Sequence, residues 1–160
     1  MAQGHQQTAP DAVMTRIGQV VILHHAGDRE EARQRFLQLW AEIGEDGDPL
    51  HRCTLAHYMA DVQDDPVDEL AWDLRALTAA EELTDDRVAA HEGSLAVRAL
   101  YPSLQLNLAA DYAKLGRSGP ARTHLHRART AARSLADDRY GDGVRAAIER
   151  LELRLGEGGA

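Results

Sequence analysis

Two stretches of the chain carry the same frame of contact residues, and that frame leaves few folds open. In the later stretch Ala109, Tyr112 and Gly116 precede Ala121, Leu125 and Ala128; in the earlier one Val20 and Gly27 precede Ala32, Phe36 and Leu39. Both place twelve residues between the paired contact positions, Val20 to Ala32 and Ala109 to Ala121. Apolar spacings of three and four on either side of a glycine belong to two helices joined by a tight turn. Small residues such as Ala109 and Ala121 let two helices approach closely, Tyr112 fills the space beside them, and glycine takes the left-handed turn conformation. A further stretch, Ala56 with Leu70, Leu74 and Leu77, fits the frame when its Asp64-Asp65-Pro66 turn holds two extra residues.

Composition points the same way. Alanine, leucine, arginine and glutamate dominate and only 5 of 160 residues are proline, a mixture that favours helix over strand. The expected fold is therefore all-α, in one domain that buries roughly 70% of its unfolded surface. Residues 1–10 are expected to be a flexible N-terminus, 11–155 the helical domain, and 156–160 a disordered tail. Within the domain, helix pairs are expected over about 11–45, 48–83 and 102–135, with an irregular helical insert at 84–101 and a closing helix at 143–155. Thr8-Ala9-Pro10-Asp11 has the form of a capping box, Asp48-Pro49 and Asp65-Pro66 mark helix starts, and Tyr101-Pro102 reads as a break or a first turn. The core is expected to include Ala32, Phe36, Leu70, Leu74, Tyr112, Ala121 and Leu125.

The run Leu108-Ala109-Ala110-Asp111-Tyr112-Ala113-Lys114-Leu115-Gly116, followed by Ala121, Leu125 and Ala128, resembles a tetratricopeptide repeat (TPR). The family period is about 34 residues; the intervals Ala32 to Leu70 and Leu70 to Ala121 are longer. The resemblance implies antiparallel helix pairs stacked as a short right-handed solenoid with a C-terminal capping helix. It also implies a concave groove lined by the first helix of each pair. Mapped onto this chain, that groove holds Ile17, Val21 and His24, then Cys53, His57 and Asp61, then Leu106, Asn107 and Ala110. Asn107 is singled out because, in peptide-binding members, an asparagine at this place bonds the peptide backbone.

Catalytic signatures are missing. The chain has no nucleophile elbow, phosphate-binding glycine loop or dinucleotide fingerprint, and none of its four serines has an activating glycine setting. Its carboxylates are expected to be exposed, with Asp64-Asp65, Asp85-Asp86 and Asp137-Asp138 at helix starts, where an anion favours the helix dipole. Cys53 and His57 are four residues apart and share a helix face, so with His24 they are the candidate ligands for a transition metal. No fourth ligand stands out and no HExxH or CxxC motif occurs, so neither a metal nor another cofactor is expected.

Charge is unevenly spread. Between Glu42 and Asp86 fourteen acids face only Arg52 and Arg75, whereas 112–136 holds six bases and no acid. Arg122, His126, Arg129 and Arg133 form one stripe of one helix. The net charge of −8 argues against nucleic acid as a partner. No apolar run is long enough for a membrane span, and residues 1–10 lack an apolar signal core. With a single cysteine, these features point to the cytoplasm. The leading expectation is a noncatalytic adaptor or scaffold that binds a protein or peptide in its groove. The alternatives are a metal- or small-ligand-binding helical protein centred on Cys53 and His57, and a self-associating structural protein, a homodimer pairing acidic and basic halves.

Overall fold

Aspartate and glycine punctuate the chain into helices. Asp48 accepts a hydrogen bond from the Leu50 N–H at 2.8 Å with Pro49 in the first turn, and Asp65 accepts from the Val67 N–H at 2.9 Å ahead of Pro66. These carboxylates satisfy amide donors that the first helical turn leaves free. Gly27 and Gly116 take positive φ (103° and 73°) at the turns that close the two matching frames. The computed structural model describes residues 2–83 and 92–158, with side chains over 12–83 and 98–156. Among them are seven α-helices and no strand: α1 (Ala2–His25), α2 (Arg29–Ile43), α3 (Pro49–Asp61), α4 (Pro66–Leu83), α5 (Glu92–Lys114), α6 (Ser118–Ala132) and α7 (Arg139–Gly158). None is long and apolar enough to cross a membrane.

Each helix packs on the next in sequence. In addition α1, α3, α5 and α7 touch in succession, whereas α2, α4 and α6 make no such contacts with one another among the described residues. The core falls into three apolar clusters. Ile17, Val20, Ala32, Phe36, Leu55 and Met59 hold α1, α2 and α3; Cys53, Ala56, Ala76, Ala80 and Leu104 hold α3, α4 and α5; Ala109, Leu125, Ala128, Ile148 and Leu151 hold α5, α6 and α7. Trp40 and Trp72 join the first two clusters edge to face, with centroids 5.0 Å apart.

Several boundaries differ from expectation. Helix α1 begins at Ala2, not at Thr8. The break expected at Tyr101-Pro102 is absent: α5 is continuous from Glu92 to Lys114 and Pro102 is buried within it. Proline removes a backbone donor there, and the start of α7 braces the spot. The Tyr140 hydroxyl donates to the Ala99 carbonyl at 3.1 Å and lies 2.6 Å from Ser103 Oγ. The expected insert at 84–101 is therefore part of α5 from Glu92 onward; residues 84–91 lie outside the described residues. Helix α7 is longer at both ends than the expected 143–155, and Asp138 caps its first turn through the Gly141 N–H at 2.8 Å.

Among the expected core residues, Ala32, Phe36, Ala121 and Leu125 are buried, while Leu70 and Tyr112 are half-buried. Leu74 is exposed. The reason lies in α4, whose buried face runs through Asp73, Ala76, Leu77, Ala80 and Leu83, one residue out of phase with the Leu70-Leu74 stripe. At about 100° per residue, that shift turns Leu74 outward and brings an acid inward.

Candidate functional site

The inward acid of α4 meets a second one. Asp73 on α4 and Asp111 on α5 are 2% and 1% exposed, and their carboxyl groups share a hydrogen bond. Asp73 Oδ1 and Asp111 Oδ2 are left buried with no hydrogen-bond partner. Glu69, one turn before Asp73, completes a trio in which one carboxylate oxygen from each residue lies within 4.8 Å of the others. The Lys114 Nζ, one turn after Asp111, donates to Glu69 at 2.9 Å. Burial pushes the Asp73 and Asp111 carboxyls above the ordinary carboxylate range, with the neighbouring Glu69 and Asp61 adding to the rise.

Beside this trio the first helices of the expected groove converge. Asn107 Nδ2 on α5 reaches His57 Nδ1 on α3 at 3.5 Å. Burial lowers the His57 pKa, against the pull of the Asp61 carboxylate one turn further along α3. The Asp61 carboxyl is raised by crowding and by Glu69, while His57, His24 and His25 oppose the rise. Of the expected groove residues, His57 and Asn107 thus meet between α3 and α5, and the charges of His57 and His24 act on Asp61.

The remaining expected residues lie elsewhere. Ile17 and Cys53 are 1% and 0% exposed and serve the core rather than an open groove. Val21 and Leu106 are half-buried against the first and third clusters. Ala110 lines a separate groove of about 410 Å³ between α5 and α7, with Ala113, Lys114, Leu151, Arg154 and Leu155.

The candidate metal set of Cys53, His57 and His24 does not come together. Among the described residues the converging trio is instead Glu69, Asp73 and Asp111, and the Cys53 thiol is pushed up to about 12 by burial. The basic stripe is exposed but partly engaged: Arg122 donates to the Leu155 carbonyl at 3.0 Å and Arg129 pairs with Glu152, so both tie α6 to α7. His126 and Arg133 remain on the exposed face.

The general expectation of exposed carboxylates therefore fails at Asp73 and Asp111. A signal was present in the sequence. Asp73 has Leu70, Ala76 and Leu77 three or four residues away, and Asp111 has Leu108 and Leu115. An acid in the middle of an apolar helical stripe is buried whenever that stripe is covered. No protein-family model, curated protein or solved structure matches this chain.

Proposed function

We propose that the chain is a noncatalytic binding protein, a short TPR-like right-handed stack of helix pairs closed by α7, whose inner face takes a protein or peptide segment. The observation that carries this reading is the pattern of packing. A succession of contacts through α1, α3, α5 and α7, without one through α2, α4 and α6 among the described residues, is what two layers of stacked helix pairs produce. One layer then offers a continuous preformed surface, which lowers the ordering cost of binding. On that layer lie the His57–Asn107 contact and the groove of about 410 Å³, whose alanine and leucine walls carry Lys114 and Arg154. Cytoplasmic residence belongs to the same reading and rests on the single cysteine, which is buried and free.

The test is capture of partners from the source cells by the wild-type chain and by Asn107→Ala and His57→Ala. Both variants should lose the captured partner while staying folded, with the unfolding free energy lowered by no more than about 1.5 kcal/mol, the scale of one half-buried hydrogen bond. A partner held equally well by both variants would move the site off this face. Pairing of acidic and basic halves between two copies is the weaker alternative, because Arg122 and Arg129 already have partners on α7. A dimer of that kind dissociates in about 1 M salt, where the screening length falls to roughly 3 Å. Sizing at low and high salt decides it.

A further inference from the structure

We propose that Glu69, Asp73 and Asp111 form a binding site for one hard divalent cation, held between α4 and α5. Three independent features converge on it. The first is geometric. Oxygens on opposite sides of an ion, each at roughly 2.2–2.5 Å, stand about 4.4–5 Å apart. A trio whose oxygens all lie within 4.8 Å of one another closes around a single ion.

The second feature is the pair of orphaned oxygens. Asp73 Oδ1 and Asp111 Oδ2 are buried without a donor, at residues 2% and 1% exposed. A proton shared between the two carboxyls satisfies one oxygen of each and leaves the other two as they are. A cation satisfies both, and buried polar atoms are almost always satisfied.

Third comes charge. Three carboxylates face one ammonium, that of Lys114, so the trio carries two uncompensated negative charges when ionised. A divalent cation neutralises them. His57, His24 and His25 act on Asp61, which in turn adds to the rise at Asp73 and Asp111.

The donor set selects the ion. Three carboxylates without sulfur or imidazole favour the oxygen-preferring cations Mn²⁺, Ca²⁺ and Mg²⁺ over zinc or copper. Mg²⁺ sheds its water reluctantly, and Asp73 and Asp111 are closed to solvent, so Mn²⁺ and Ca²⁺ fit best. The same closure excludes a guanidinium or ammonium side chain from a partner. Lys114 is a competitor in this arrangement, since it holds the Glu69 carboxylate that the cation needs.

Mn²⁺ is the probe. The full chain, stripped with chelator, is titrated with Mn²⁺ at pH 8 while free ion is followed by electron paramagnetic resonance, and thermal unfolding is run with and without the ion. The expected result is one equivalent bound and a raised unfolding midpoint. Asp73→Asn and Asp111→Asn should each weaken binding at least tenfold, and Glu69→Gln, at the half-buried edge of the trio, provides a third test should either fail to fold. Lys114→Met should tighten binding several-fold by releasing Glu69. Failure of Mn²⁺ and Ca²⁺ at millimolar concentration to bind or to move the wild-type midpoint overturns the proposal and leaves a proton-sharing pair. Mn²⁺ binding undiminished in the folded variants overturns it equally, by placing the ion elsewhere on this acidic surface.

Discussion

Helix α5 buries polar side chains on two sides, and the two sides are built differently. Towards α6, Gln105 is 1% exposed and both ends of its amide are used: its Nε2 donates to the Tyr101 hydroxyl at 2.8 Å, and its Oε1 accepts from His124 Nδ1 at 2.7 Å. The His124 ring stacks on Tyr112 at 5.5 Å, which fixes the network in place. Towards α4, Asp111 is equally buried but has an oxygen without a partner, opposite another acid in the same condition. A satisfied buried network rigidifies a fold, whereas an unsatisfied one costs stability. The α5–α6 side is accounted for by structure alone. The α4–α5 side is not, and that is the reason to look for a ligand there.

The largest effects should come from the apolar part of the α5–α6 contact. Ala109 and Ala121 are both 0% exposed, so Ala109→Leu or Ala121→Leu should overpack the crossing and cost about 1–3 kcal/mol in denaturant unfolding. Unchanged stability in both variants would mean that the helices do not meet at these positions.

Opposite signs are expected from the two polar sides. Gln105→Ala strands Tyr101 and His124 and should cost about 1–3 kcal/mol. Asp111→Asn removes one of two buried acids and puts a neutral amide beside Asp73, so in cation-free buffer it should stabilise by on the order of 1 kcal/mol. A loss of stability in Asp111→Asn under those conditions would show that the acid pair is already satisfied.

The smallest effect is a pH dependence. Asp73 has its carboxyl raised by burial, so the folded state holds a proton that the unfolded chain releases above its ordinary value of 3.8. Stability from that proton is complete below the unfolded value and is lost as pH rises through the folded one. His57 and His124 are lowered by burial and act in the opposite sense, losing stability as pH falls through the histidine range. Between about pH 7 and 9, above that range, the unfolding midpoint of the cation-free chain should therefore fall with pH, and Asp73→Asn should flatten the slope. A midpoint that rises over this interval contradicts the assignment.

Much of the fold was legible because helices are specified locally. The spacing of Ala32 and Phe36, the turn at Gly116, and the run from Ala121 to Leu125 each report on their own helix, and each is found where the sequence places it. His57 and Asn107, both named through the resemblance, come within 3.5 Å of each other, and Asp61 follows one turn after His57 on α3. The register failed in α4, where leucines at 70 and 74 suggested a stripe that the fold does not bury. The continuity of α5 through Pro102 was hidden for a related reason, since Tyr140, which supports it, lies on another helix.

By itself the sequence determined the helical class, the glycine turns, and the small residues buried in α5 and α6. Only the tertiary structure decided that Asp73 and Asp111 face each other in the interior. Periodicity shows which residues share one side of a helix, but solvation depends on what lies across from that side. Between α4 and α5 it is another helix, and the two acids meet there with fewer partners than their oxygens require.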